Sequence, residues 1–190
     1  WISNCLRYHE RCCTESLFLG GMRLIDCQMK QIIDAKPCSR WVALSYVWGS
    51  ETTTPRQWTH NGGRYPWPSD IPRTVTDTMV VTVETGYRYL WCEAYCIDQE
   101  DVAHKADQIS KMGKIYRCAD FAIVATGPNK HHGLPGVSSS RVSEQQKFHL
   151  PGRDLIYMGP DPLYTILQST WMERAWTFQG GYLSKRLLVL

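Results

Sequence analysis

The chain has 190 residues, 43% of them hydrophobic and 21% charged, with a formal net charge of +3. This is enough for one domain with its own core. The charge is too small, and the basic residues too scattered, for a nucleic-acid surface. No apolar stretch is long enough to cross a membrane, and Trp1 to Cys5 has neither the basic head nor the apolar core of a secretory signal. A cytoplasmic protein is expected, a single domain over 1–190 cut from a longer chain. Its eight cysteines read as free thiols of a reducing compartment. Cys5, His9 and Cys12 lack the paired spacing of a structural zinc site, so an amphipathic amino-terminal segment is expected there.

Trp41 to Val47 is a continuous apolar run broken only by Ser45, the pattern of a doubly buried parallel strand. The polar, Gly- and Pro-rich stretch from Trp48 to about Pro72 reads as a long loop. A helix follows from Thr74 or Thr76 to about Thr85, stopped by Gly86. Arg88 to Ile97 reads as a second buried strand with an acid, Glu93, inside it. Asp101 is placed to cap a helix whose apolar face is Val102, Ala106, Ile109, Met112, Ile115 and Tyr116. Asp120 to Ala125 is a short strand, and Gly127 to about Gly152 a loop or insertion without periodicity. Asp154 to Met158, Pro162 to Gln168, Met172 to Gln179 and Arg186 to Leu190 read in turn as strand, short helix, helix and terminal strand.

Strands alternating with helices predict an α/β fold: a mostly parallel sheet, helices on both faces and a long insertion loop. Ligands of such folds bind beyond the carboxyl ends of the strands, here Ser45 to Ser50, Asp98 to Asp101 and Thr126 to Asn129. Phosphate-cradling, dinucleotide-binding, zinc-protease and nucleophile-elbow motifs are all absent from the sequence. Ser45 has no suggested His and Asp partners and reads as a small polar residue at a strand end. His131 and His132 lie in a polar loop and read as solvated.

Three blocks occur in order: Ala43-Leu44-Ser45-Tyr46-Val47-Trp48-Gly49, Leu90-Trp91-Cys92-Glu93-Ala94-Tyr95-Cys96-Ile97-Asp98-Gln99, and Arg174-Ala175-Trp176-Thr177-Phe178-Gln179. Together they closely resemble the fungal heterokaryon-incompatibility (HET) domain over nearly the whole chain. The family's last block usually runs W-T-x-Q-E, whereas here Gly180 stands where the glutamate is expected. HET domains are in turn similar to TIR domains, a flavodoxin-like fold whose catalytic glutamate lies four residues after a tryptophan. Four residues after Trp176 is Gly180.

The resemblance implies an NAD+ glycohydrolase that needs no cofactor, NAD+ being its substrate and NADP+ left open. One carboxylate suits that chemistry, because the nicotinamide leaves as a neutral molecule and needs no general acid, unlike the leaving group of an ordinary glycoside. A carboxylate at position 180 would stabilise the oxocarbenium-like transition state. Its absence implies an inactive chain, whether a natural variant or a deliberate substitution. Glu93 is either a second active-site acid or a buried acid held by partners. Ser45, Tyr46, Trp48, Gly49 and Trp176 are further site candidates, with Trp48, Trp171 and Trp176 either core or flat faces for a base. Arg174 reads as a pyrophosphate contact or the partner of an acid, and Asp98 and Gln99 as ribose ligands or, for Asp98, a turn cap. Family logic further implies self-association into an oligomer or filament, and an activating sensor of the NLR type. A non-enzymatic assembly adaptor and a TIR-like nuclease or cyclic-nucleotide synthase are the rival readings.

Overall fold

In the computed structural model the described residues are 1–9, 18–49, 62–139, 146–157, 159, 161–174 and 177–190. Helix α1 (Ile2–Tyr8) opens the chain, followed by a hairpin of β1 (Arg23–Asp26) and β2 (Gln31–Asp34). Asp26 closes that hairpin, its Oδ1 accepting from the backbone N–H groups of Gln28 at 3.2 Å and Met29 at 3.1 Å. β3 (Trp41–Ser45) is buried at every position, as its unbroken apolar run requires. Then come β4 (Arg64–Tyr65), α2 (Arg73–Glu84), β5 (Tyr89–Cys92) and the single turn α3 (Glu93–Cys96). Helix α4 (Val102–Cys118) is capped by Asp101, which accepts from His104 N–H at 3.0 Å. β6 (Phe121–Val124), the hairpin β7 (Lys147–Leu150) and β8 (Arg153–Ile156), α5 (Pro162–Leu167), α6 (Thr177–Leu183) and β9 (Leu187–Val189) complete the order.

The main sheet has seven strands in the order β4-β2-β1-β5-β3-β6-β9. β5, β3, β6 and β9 run parallel, and β1, β2 and β4 extend the sheet antiparallel from β5. The α/β expectation holds, with a sheet that is mixed as a whole and parallel in its second half. In chain sequence the parallel strands lie second, first, third, fourth, a doubly wound order whose direction reverses beside β3. Right-handed crossovers then put α2 on one face and α4 and α6 on the other.

Four expectations are corrected. The second strand ends at Cys92, and Glu93 begins a helical turn closed by Ile97 N–H to Glu93 O at 3.1 Å. A carboxylate inside a doubly buried strand would lack water and partners; at the strand end it reaches a polar cavity. The stretch to Pro72 contains β4, and the Gly127–Gly152 stretch contains β7, whose hairpin with β8 is exposed throughout. The last helix starts at Thr177 and not at Met172. Residues 169–173 form turns first, through Met172 N–H to Ser169 O and Glu173 N–H to Thr170 O. The end of the fourth strand expectation, Met158, lies outside the described residues. No helix among the described residues is long and apolar enough to cross a membrane.

Candidate functional site

Alternation along β3 puts Trp41, Ala43 and Ser45 on one face. Trp41 Nε1 donates to Ile115 O of α4 at 3.3 Å, so this face looks toward α4 and α6. Ser45 therefore emerges beneath those helices at the carboxyl end of the strand. Its Oγ accepts from Trp171 Nε1 at 2.9 Å. Tyr116 donates from its hydroxyl to Leu44 O at 3.2 Å, and Arg174 from Nη1 to Tyr46 O at 3.2 Å. Thr177 Oγ1 donates to Arg174 O, fastening the start of α6 to the arginine.

These groups enclose a cavity of about 20 Å³ lined by Ser45, Tyr46, Trp48, Glu93, Tyr116 and Arg174, among others. It has room for about one water molecule. The Glu93 side chain makes no hydrogen bond or ion pair among the described residues. Burial pushes its carboxyl above the ordinary range, opposed by the charges of Arg174 and Lys105. Burial likewise raises the Tyr116 hydroxyl, with the Glu93 charge adding to the shift.

Gly180 is buried in α6, and a Cβ built there would lie 2.9 Å from Ser45 Oγ, 3.1 Å from Ser45 Cβ and 3.3 Å from a Tyr116 ring carbon. A Cβ at Gly181 would lie 3.0 Å from the Trp171 ring. Consecutive glycines weaken a helix by about 1 kcal/mol each relative to alanine. Here they let α6 approach β3 and Trp171 more closely than side chains would allow. The space beside position 180 is occupied by Ser45.

Of the residues expected at a site, Ser45, Tyr46, Trp48, Glu93 and Arg174 line this one cavity and Gly180 backs onto it. Gly49 is exposed, at φ +83°, just beyond Trp48. Asp98 and Gln99 do not line it. Asp98 caps its own turn, accepting from the N–H groups of Glu100 and Asp101, and pairs with Arg23 at 3.7 Å. Gln99 bonds Ile97 O at 3.4 Å. Trp176 lies outside the described residues. Met112, Tyr116 and Thr177 also line the cavity without having been singled out for it. Met112 and Tyr116 carried a signal, since their four-residue spacing puts them on the buried face of α4.

A profile of the family described as "Heterokaryon incompatibility protein (HET)" matches residues 41–180, from the first residue of β3 to Gly180 itself. The chain belongs to this family. It is also similar to "Heterokaryon incompatibility protein 6, OR allele" of Neurospora crassa, at 32% identity over 101 residues. That match takes in 48% of this chain and 15% of the relative, so the chain spans only a small part of that HET protein's length. No solved structure matches.

Proposed function

We propose that this HET domain is a cell-death effector module of fungal non-self recognition, with a site built to cleave NAD+ between nicotinamide and ribose, and that this chain holds the site closed and inactive. The observation that carries the reading is the position of Gly180. It meets Ser45 at the carboxyl end of β3, beside the cavity lined by Glu93 and Arg174, where doubly wound sheets bind ligands. The parallel strand order supports a TIR-like ancestry for that arrangement. A glutamate at 180 would bring a carboxylate to this strand end, able to stabilise an oxocarbenium-like ribose. Without it the remaining acid is Glu93, and burial favours its neutral form.

The test is nicotinamide release from NAD+ at high protein concentration, by the chain, Gly180→Glu, and Gly180→Glu combined with Ser45→Gly. The second substitution removes the two atoms closest to the new Cβ. Release by a glutamate variant alone supports the reading, with NADP+ run beside NAD+ to set the preference. A folded double variant that releases nothing overturns it. The rival reading is an assembly adaptor without catalysis, favoured by a cavity of only about 20 Å³. It predicts self-association with no nicotinamide release from any variant.

A further inference from the structure

One register row across the sheet runs Ser45, Val124, Val189, on neighbouring parallel strands β3, β6 and β9. Paired residues of parallel strands share a face, so this row is the common floor beneath α6 and Trp171. Over Ser45 lies the small cavity with Glu93. Over Val124 and Val189 lies a cleft of about 700 Å³, walled mainly by Leu163, Ile166, Trp171, Met172, Tyr182 and Leu187. Its volume falls in the range of small-molecule sites, about 300–1,000 Å³, and its walls are mostly apolar with a few polar groups, as such sites require. Arg174 and Thr177 line both spaces. The partition between a one-water cavity and a ligand-sized cleft is thus the Arg174 side chain and the first residue of α6. Arg174 is held across it by the bond from Nη1 to Tyr46 O, at 3.2 Å.

We infer that the cleft is the seat of the flat, apolar end of the ligand, the nicotinamide ring of a dinucleotide, and that Arg174 is the gate between this seat and Glu93. The inference rests on the reading above and names where the ring of that substrate sits. The ring lies against the Trp171 and Tyr182 side chains that line the cleft, aromatic walls suited to a planar ring. When Arg174 leaves Tyr46 O, the two spaces join along the Ser45–Val124–Val189 floor and the ribose reaches the strand end that carries Ser45. Among the described residues, opening this gate breaks one hydrogen bond of the Arg174 side chain.

The experiment uses the whole chain and two probes, neutral nicotinamide and NAD+, with dissociation constants from ligand-detected NMR. Nicotinamide reads the seat alone, and NAD+ reads the seat and the gate together. Arg174→Ala is expected to leave nicotinamide bound as in the parent, because the cleft is open without it, and to tighten NAD+, whose ribose no longer has to displace the gate; a pyrophosphate-binding arginine would instead weaken NAD+, and that result overturns the gate. Tyr182→Ala and Leu163→Asp, at positions 74% and 60% exposed, are expected to weaken both probes about tenfold at a temperature where thermal melts show each variant folded. If NAD+ binds and these two variants bind it as well as the parent does, the cleft is not the seat and the site reading survives. If they abolish self-association and leave nicotinamide binding unchanged, the cleft is a protein contact and the inference falls. If neither probe binds any variant, the inference and the NAD+ reading fall together.

Discussion

At the amino ends of the four parallel strands the residue just before each strand is charged: Arg40, Arg88, Asp120 and Arg186. At the carboxyl ends the residues just after are Tyr46, Glu93, Ala125 and Leu190, so Glu93 is the one charge there. Three of the amino-end charges, Arg40, Asp120 and Arg88, pair with an opposite charge, and the fourth, Arg186, is held by a backbone carbonyl. Arg40 holds Asp120 at 2.7 Å and Tyr87 at 3.2 Å, Arg88 holds Asp26 at 2.6 Å, and Arg186 donates to Asp120 O at 2.8 Å. Glu93 has no such partner among the described residues, and its arginine neighbour bonds a backbone carbonyl instead. One end spends its charge on fixing the strands. The other keeps a buried acid beside a cavity, the arrangement expected of a working site.

The comparison can be broken first at Arg40. Arg40→Ala leaves Asp120, 4% exposed, without its guanidinium. A loss of about 2 kcal/mol is expected in urea unfolding, between the roughly 0–1 kcal/mol of an exposed pair and the roughly 3–5 kcal/mol of a broken buried one, because the Arg40 side chain is 60% exposed. Gly180→Ala comes next. Overpacking against Ser45 is expected to outweigh the gain in helix propensity by about 1 kcal/mol, and the penalty should vanish in a Ser45→Gly background.

The two acids then predict opposite pH trends. Glu93 has a raised folded pKa, so its contribution is complete below the ordinary carboxylate value. That contribution is lost as pH climbs from there through the raised value. Glu93→Gln should flatten this decline and stabilise the neutral-pH protein by a fraction of the wild-type loss. For Asp26, burial pushes the carboxyl up, but the bonds from Arg88 and from the Met29 and Gln28 N–H groups together hold it below its ordinary value. Its stabilisation is present above the unfolded pKa and is lost as pH falls through the folded one. Asp26→Asn should remove that acid-side slope, as a melting-temperature series from pH 3 to pH 8 would show. The smallest effect is expected at Gly181→Ala, where the new methyl meets only the rim of the Trp171 ring. A change under about 1 kcal/mol should appear in thermal melts.

What could be read in advance followed local periodicity. β3 and β6 are unbroken apolar runs, and α4 shows its Asp101 cap and the second half of its buried face, Met112, Ile115 and Tyr116, in the sequence itself; the first half of the expected face is corrected, since Val102 and Ala106 are exposed and Gln108 is buried instead. The β1–β2 hairpin was missed. Its strands have four residues each, too few to show alternation, and its turn ends at Lys30, a non-glycine residue at φ +50°. Glu93 was conspicuous as an acid in an apolar run, yet only the fold shows that the run stops at Cys92. The motif around Gly180 was legible and its contact was not, because Ser45 lies 135 positions away and the approach depends on a crossover and two helix glycines. The cleft beside β9 takes only Arg174 and Thr177 from the third block; its other walls come from α5, the turn at 171–173, the rest of α6 and two strands, and no local pattern joins them.

The most direct measurement sets Glu93→Gln beside Arg40→Ala, reading NAD+ binding and the melting temperature for each. The account predicts that Arg40→Ala lowers the melting temperature and, when measured well below it, binds NAD+ as the parent does. Glu93→Gln is predicted to change NAD+ affinity at least severalfold without loss of melting temperature. If Glu93→Gln melts early and leaves binding untouched, the carboxyl end is structural like the amino end, and the site proposed there is contradicted.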